Sequence, residues 1–224
     1  LVFIMDILYS DNRILVCVKP AGVLSTDEPG GMPSLLRAWL GDEHACVRTV
    51  HRLDRTASGL MVFARSRAAA SLLSEQVRGR AFTKEYLAVC EGSPEPACGR
   101  MEDLLARDRA RNKTVTAAAP GKDVRPASLR YRVAAEKDGL ALARICLETG
   151  RTHQIRAQFS SRGWPLAGDR KYGAQSEGPL ALFSCRLGFS HPQTGEPMDF
   201  FRLPPREGFW LPFSSELAAL GPAF

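Results

Sequence analysis

The chain lacks the spacings that announce metal, redox and nucleotide chemistry. Its six cysteines, at positions 17, 46, 90, 98, 146 and 185, form no C-x-x-C pair, and Cys17, Cys90 and Cys146 sit in apolar, strand-like runs. The expectation is buried free thiols in a reducing cytosol, with neither a disulfide frame nor a zinc site. No glycine-rich phosphate loop or Rossmann fingerprint is found, and His44 and His191 have no metal partner at a usable spacing. No cofactor and no metal are therefore expected. Long apolar runs are missing too: Leu1-Val2-Phe3-Ile4-Met5 is interrupted by Asp6 and preceded by no basic segment, which fits neither a signal peptide nor a membrane span. The expected location is cytoplasmic, and Met5 is a candidate natural start with residues 1–4 as an extension. Negative charge is in deficit, with 24 Asp and Glu against 30 Lys and Arg and a formal net charge of +6. That balance favours a polyanionic partner through counterion release, although an excess this small does not prove one. Repeats, low-complexity tracts and linker composition are absent, and 224 residues at 45% hydrophobic content suffice for a sizeable core.

What is present reads as alternating strands and helices. Residues 14–18 form an apolar run stopped by Lys19-Pro20-Ala21-Gly22, the pattern of a central strand ended by turn chemistry. A short helix is predicted over 33–40, with Pro33 in its first turn and Gly41 after its end. After a strand over 60–64, a helix over 66–78 carries Leu72, Leu73 and Val77 on one face and stops at Gly79. Residues 83–89 read as a strand, and 128–134 with 140–147 as a pair joined by a hairpin at Lys137-Asp138-Gly139. Thr152 is a candidate cap for a helix running to about 162, which would turn Ile155 and Phe159 inward and leave Arg156 and Arg162 toward solvent or the polyanionic partner. A last strand over 180–189 precedes a proline-rich tail expected to wrap irregularly. The predicted architecture is a single α/β domain of the α+β type over 1–224. Its sheet is mixed and largely antiparallel, flanked by helices, with 1–8 and 213–224 peripheral.

The densest chemistry lies in His51-Arg52-Leu53-Asp54-Arg55-Thr56-Ala57-Ser58-Gly59-Leu60, where one carboxylate sits among basic neighbours at a turn feeding an apolar strand. Alone, Asp54 is most simply a turn residue paired with Arg52 or Arg55. Other blocks change that reading: Ile14-Leu15-Val16-Cys17-Val18-Lys19-Pro20-Ala21-Gly22, Lys84-Glu85-Tyr86-Leu87-Ala88 with Gly92, Gly150-Arg151-Thr152-His153-Gln154-Ile155-Arg156, and Gly168-Asp169 with Tyr172-Gly173. A weaker block, Leu180-Ala181-Leu182 leading to His191-Pro192, closes the series. In this order, from 14 to 205, the chain resembles the RluA-type pseudouridine synthases. Many members carry an S4-type RNA-binding module before the catalytic domain. Here the first matching strand begins at residue 14, so a short form that finds its RNA unaided is expected.

The resemblance implies an isomerase that breaks the uracil N1–ribose C1′ bond of specific uridines in ribosomal or transfer RNA and rejoins the base through C5. It implies Asp54 as the nucleophilic carboxylate acting on a flipped-out base, with Arg151 pairing with it and Tyr86 against the uracil. Arg52 would fill the gap left by the extruded base, Leu182 would line the base pocket, and Lys84 would contact Asp54, Tyr86 or a phosphate. Each has a plainer reading: surface arginine, core tyrosine or leucine, phosphate-binding arginine. His51 and His153 look structural. The run Arg107-Asp108-Arg109-Ala110-Arg111-Asn112-Lys113 alternates with period two, so an extended strand or hairpin there would put four cations on one face, for RNA phosphates or merely for solvent. Arg156 joins this expected RNA-facing set. Departures from the family pattern are Ala57 where Thr is usual, Phe183-Ser184 in place of His-Ala, and Leu129 in place of Thr; the first is expected to loosen the Asp54 loop. RNA is the expected partner of a monomer. The rival readings are an RNA-binding or RNA-folding protein without turnover, and a glycoside hydrolase. The latter needs a second carboxylate, and strand alternation turns Glu85 away from Tyr86's face.

Overall fold

The computed structural model of the protein describes residues 5–222, so the suggested extension at 1–4 and the final residues 223 and 224 lie outside the described residues. In chain order the first elements are β1 (Ile7–Ser10), β2 (Ile14–Lys19), α1 (Met32–Leu40), β3 (Arg48–Thr49), β4 (Ser58–Ala64), α2 (Arg67–Arg78) and β5 (Thr83–Glu91). There follow β6 (Cys98–Asp108), β7 (Lys113–Ala117), β8 (Val124–Lys137), β9 (Leu140–Leu147), α3 (Gln154–Ser160), β10 (Leu182–Ser190), β11 (Pro197–Phe201) and α4 (Ser214–Ala219), with 3-10 turns at Arg170–Tyr172 and Gly208–Phe213. The class is α+β with mostly antiparallel pairing, as expected. The chain divides into two compact units, Leu1–Lys84 with Ser184–Arg202, and Glu85–Phe183 with Leu203–Phe224.

In the first unit β2 pairs antiparallel with β1 on one side and β4 on the other, in register from Ile14↔Ala64 to Lys19↔Gly59. Ile14, Leu15, Val16 and Cys17 are all fully buried, which is why this stretch reads as an apolar run rather than an alternation. The turn before it is closed by Asp11, whose carboxylate accepts the Arg13 and Ile14 amides at 2.7 Å each. Val16, Leu60 and Val62 pack with Ala69 and Leu73 of α2 and with Phe82, Leu187 and Phe189. Pro33 opens α1 and Gly41 closes it at φ 67°, and Gly79 ends α2, as their signals predict; at the start of α2 the structure adds a cap, the Ser66 hydroxyl accepting the Ala69 amide at 3.1 Å. Leu72 corrects the predicted apolar face. It is 43% exposed, whereas Leu73 is buried.

In the second unit the strand order is β5-β9-β8-β6-β7. The β8–β9 hairpin turns at the predicted place, with Asp138 and Gly139 both at positive φ and Lys137 opposite Leu140. The predicted cap on α3 is corrected: the helix starts at Gln154, and His153, in a left-handed conformation at φ 53°, occupies the cap position that Thr152 was expected to take. Corrected too is the proline-rich tail. Its residues 197–201 form β11 against β10, an outer strand whose first residue is the proline, where a missing amide costs nothing. Phe213 and Leu217, in the stretch expected to be peripheral, are buried. All six cysteines are free, but Cys46 and Cys98 are exposed, contrary to the expectation of burial.

The tightest steric constraint in the first unit is Gly59, at φ 116°. A Cβ there would lie 2.4 Å from both the backbone nitrogen and oxygen of Ser184. Gly59→Ala is therefore expected to destabilise the protein by at least about 3 kcal/mol, combining an unfavourable φ with an unrelieved backbone clash. Urea denaturation checks this, and an alanine variant within about 1 kcal/mol of the parent would contradict the close approach.

Candidate active site

Asp54 lies half-buried in the loop between β3 and β4, and the residues on either side of it are tied down separately. On the N-terminal side the buried Ser25 hydroxyl donates to the Leu53 carbonyl at 2.9 Å and accepts the Leu53 amide at 3.1 Å. On the C-terminal side the Arg55 carbonyl accepts from the Gly22 amide at 2.7 Å and from the Lys19 ammonium at 3.2 Å. That ammonium, fully buried, also donates to the Pro20 and Val23 carbonyls at 2.8 Å each. Burial pulls the Lys19 pKa down to about 8, and the negative charge of Asp54 opposes the fall. The Ala57 amide donates to the Asp54 carbonyl at 3.1 Å, and its methyl group is buried, so this turn is closed by backbone and packing. Lys19 and Ser25 were not assigned roles from sequence; the only signal was the position of Lys19 inside a matching block.

Nearby, His51 is buried with its Nε2 accepting the Val62 amide at 3.1 Å, so the neutral ring carries its proton on Nδ1. Burial, reinforced by the charge of Lys84, holds the His51 pKa down to about 3. The Lys84 ammonium sits 5.4 Å from the centre of the Phe82 ring, and its own pKa is lowered by burial. Arg52 is exposed. His51 is thus a structural acceptor and no general base.

In the second unit Tyr86 is 7% exposed on β5, where it pairs with Ile145 of β9. Its neighbour Glu85 is buried and ion-paired to Arg144 at 2.6 Å. The carboxylate that a hydrolase reading would have recruited is occupied by a guanidinium. Arg151 sits in the turn before α3, its Nε donating to the Pro126 carbonyl at 3.0 Å. Gln154 holds that turn. Its Oε1 accepts the Arg151 amide at 3.0 Å and the Thr149 hydroxyl at 2.8 Å, and its Nε2 donates to the Ser128 carbonyl at 3.0 Å. Gln154 stood inside a recognised block but had been given no role. Leu182 is 4% exposed at the start of β10, and Leu129, one of the departures, is fully buried.

Two sequence expectations are corrected here. Arg156 faces neither solvent nor RNA: it is 5% exposed and bonds Asp169 through two nitrogens, at 2.6 and 2.8 Å, because a buried carboxylate thirteen residues on in the chain satisfies it. The run 107–113 is a β6–β7 hairpin, with Arg107 opposite Thr114 and Asn112 at φ 49°. Period-two alternation breaks at such a turn, so its cations do not share one strand face; Arg107, Arg109 and Arg111 are nonetheless exposed. His191 is a structural residue bonded to Asp11 at 3.0 Å. Among the described residues no group of His, Cys, Asp and Glu is placed to hold a metal.

The model of the RNA pseudouridylate synthase family matches residues 13–161, more than half of the chain. The chain belongs to that family. It is 34% identical over 200 residues to the uncharacterized RNA pseudouridine synthase YhcT of Bacillus subtilis (strain 168), covering 86% of this chain and 66% of the relative. With the ribosomal large subunit pseudouridine synthase C of Escherichia coli (strain K12) it shares 34% identity over 208 residues, 86% of this chain and 64% of that one. It therefore spans about two thirds of the length of these relatives. In structure it is similar to Human RNA Pseudouridylate Synthase Domain Containing 4, with a TM-score of 0.77 at 23% identity, covering 95% of this chain and 93% of the other, which establishes the shared fold. Within this synthase fold, Arg52, Asp54 and Lys84 belong to one unit and Tyr86, Arg151 and Leu182 to the other.

The buried neutral His51 makes stability depend on pH. Its folded pKa lies below its ordinary value, so the unfolded chain takes up a proton near pH 6.5 while the folded protein refuses it until about 3. The contribution is complete above 6.5 and is lost as pH falls. Between pH 7 and 5 the parent should lose about 2 kcal/mol more than His51→Asn, by proton linkage. Denaturant titrations at both pH values test this, and equal losses would contradict a buried neutral ring.

Proposed function

We propose that the protein is an RNA pseudouridine synthase that converts specific uridines of structured RNA to pseudouridine, with Asp54 as the nucleophilic carboxylate on a flipped-out base. The observation that carries this reading is the double restraint on the Asp54 loop, by Ser25 on Leu53 and by Lys19 and Gly22 on Arg55. A carboxylate that must attack carbon gains from being held in place before substrate arrives. Tyr86 and Arg151 complete the catalytic set implied by the family, the first as a stacking face and the second as the counter-charge. Arg52, Lys84 and Leu182 serve the RNA strand and the extruded base. The isomerisation is redox-neutral and adds no group, so it runs without cofactor or metal. The chain serves as a single catalytic domain, and the protein works as a cytoplasmic monomer. Relatives named as ribosomal large subunit synthases favour ribosomal over transfer RNA as the first substrate to try.

Asp54→Asn, nearly isosteric, is expected to keep the fold and RNA affinity and to abolish pseudouridine formation. Mapping pseudouridine in total cellular RNA incubated with purified parent and variant tests it. New sites with the parent alone support the assignment, whereas equal activity of the variant would remove Asp54 from the role. Binding of RNA by the parent with no new site anywhere would mark an RNA-binding protein without turnover.

The exposed arginines of the β6–β7 hairpin are assigned to RNA phosphates. Replacing Arg107, Arg109 and Arg111 together by Gln should lower the slope of log affinity against log salt by about one unit for each phosphate that is no longer neutralised. An unchanged slope across a salt series would make the hairpin a solvated surface.

A further inference from the structure

Tyr172 lies in no block to which the proposed chemistry assigns a role, yet it joins the parts of the second unit that the reaction needs. Its side chain is 3% exposed at the end of the 3-10 turn Arg170–Tyr172. The phenol oxygen accepts the Thr114 amide at 2.8 Å and lies 3.1 Å from the Thr114 carbonyl. Thr114 stands opposite Arg107 on β7, the last strand of that sheet, so the hydroxyl grips the root of the basic hairpin. The same oxygen is 2.9 Å from Nδ1 of His153. When Nδ1 carries the proton and donates, the phenol keeps its own hydrogen for the Thr114 carbonyl, and all three contacts are hydrogen bonds. His153 is two residues past Arg151 and holds a left-handed conformation, φ 53°, that a histidine seldom adopts without support.

The ring is held as firmly as the hydroxyl. The Lys113 ammonium lies over it at 4.5 Å and the Arg156 guanidinium at 4.8 Å, and Arg156 is anchored by Asp169. The Ser160 hydroxyl on α3 donates to the Tyr172 carbonyl at 2.6 Å. One side chain thus bonds the first strand residues after the arginine-bearing turn and the turn that carries Arg151.

We infer that Tyr172 is a positioning residue that makes the β6–β7 hairpin and the Arg151 turn a single piece, so that RNA phosphate captured by the hairpin fixes where Arg151 stands during turnover. This rests on the synthase reading for its catalytic consequence, while the mechanical link can be measured without turnover.

The test uses the full chain and Tyr172→Phe, which deletes the hydroxyl and keeps the ring with both of its cations. Hydrogen–deuterium exchange is followed in the presence and absence of a uridine-free RNA oligonucleotide, which cannot be a substrate. In the parent, RNA should slow exchange both in the 107–117 hairpin and in residues 150–154. In Tyr172→Phe the hairpin should still be protected and the turn should not. In turnover with RNA that the parent modifies, kcat should fall at least tenfold, with KM within twofold of the parent. His153→Asn, which keeps a short polar donor suited to the left-handed conformation, should retain most of kcat where His153→Ala does not; this pair also decides the matter if Tyr172→Phe fails to fold. Turn protection surviving in Tyr172→Phe, or its absence in the parent, would overturn the link. A loss of activity spread equally over kcat and KM, with exchange raised throughout the unit, would reduce Tyr172 to ordinary packing. Parent protein that shows the coupled protection yet modifies no RNA would refute the synthase reading and leave the link intact.

Discussion

A buried ammonium organises the loop on which the proposed chemistry depends. Lys19 is wholly removed from solvent, which for an isolated ammonium costs several kcal/mol. Charge-assisted bonds to the Pro20, Val23 and Arg55 carbonyls and the nearby negative charge of Asp54 offset that cost. Because one ammonium bonds all three carbonyls, it ties the 19–23 turn to the Asp54 loop. Ser25 then secures the loop from its other end through Leu53. Asp54 is left between two fixed neighbours, with the freedom of a side chain and little of the freedom of a loop.

The second unit uses neutral amides and buried ion pairs to the same end. Gln154 bonds Thr149, Arg151 and Ser128, so the turn carrying Arg151 is set by one side chain. Glu85, next to Tyr86 on β5, pairs with Arg144 of the adjacent strand β9, and Arg144 reaches on to the Gly221 and Pro222 carbonyls at 2.8 Å each. Such groups are expensive to bury and more expensive to leave half-paired, so they specify an arrangement more than they add stability.

The sequence made legible whatever depends on near neighbours. Strands β2 and β4 declare themselves as apolar runs, α2 by Leu73, Val77 and the stop at Gly79, and the β8–β9 hairpin by Asp138-Gly139. Strand β6 escaped notice because only Met101 and Leu105 of its eleven residues are buried, too sparse for a period-two pattern. Arg156 was misplaced because a charge on an amphipathic helix is assigned outward by default, and nothing local reveals that Asp169 will meet it. The anchors of the Asp54 loop were hidden for the same reason: Ser25 and Leu53 are 28 residues apart, and Lys19 and Arg55 are 36 apart. The ordered motif blocks pointed to Asp54, Tyr86 and Arg151 as a set, but the side chains that hold them in place are assembled by the fold.

The central claim, that a carboxylate-dependent isomerisation occurs at a uridine base, is tested most directly with RNA carrying 5-fluorouridine at a position the protein modifies. Fluorine cannot leave C5 as a proton does, so turnover should end in a rearranged fluorinated nucleoside or an adduct with the protein, and either should require Asp54. Mass spectrometry of the recovered nucleosides distinguishes these products from unaltered 5-fluorouridine and from free base with an abasic site. A rearranged product or adduct is the predicted result. Recovery of intact 5-fluorouridine alone, or of free base, would contradict it.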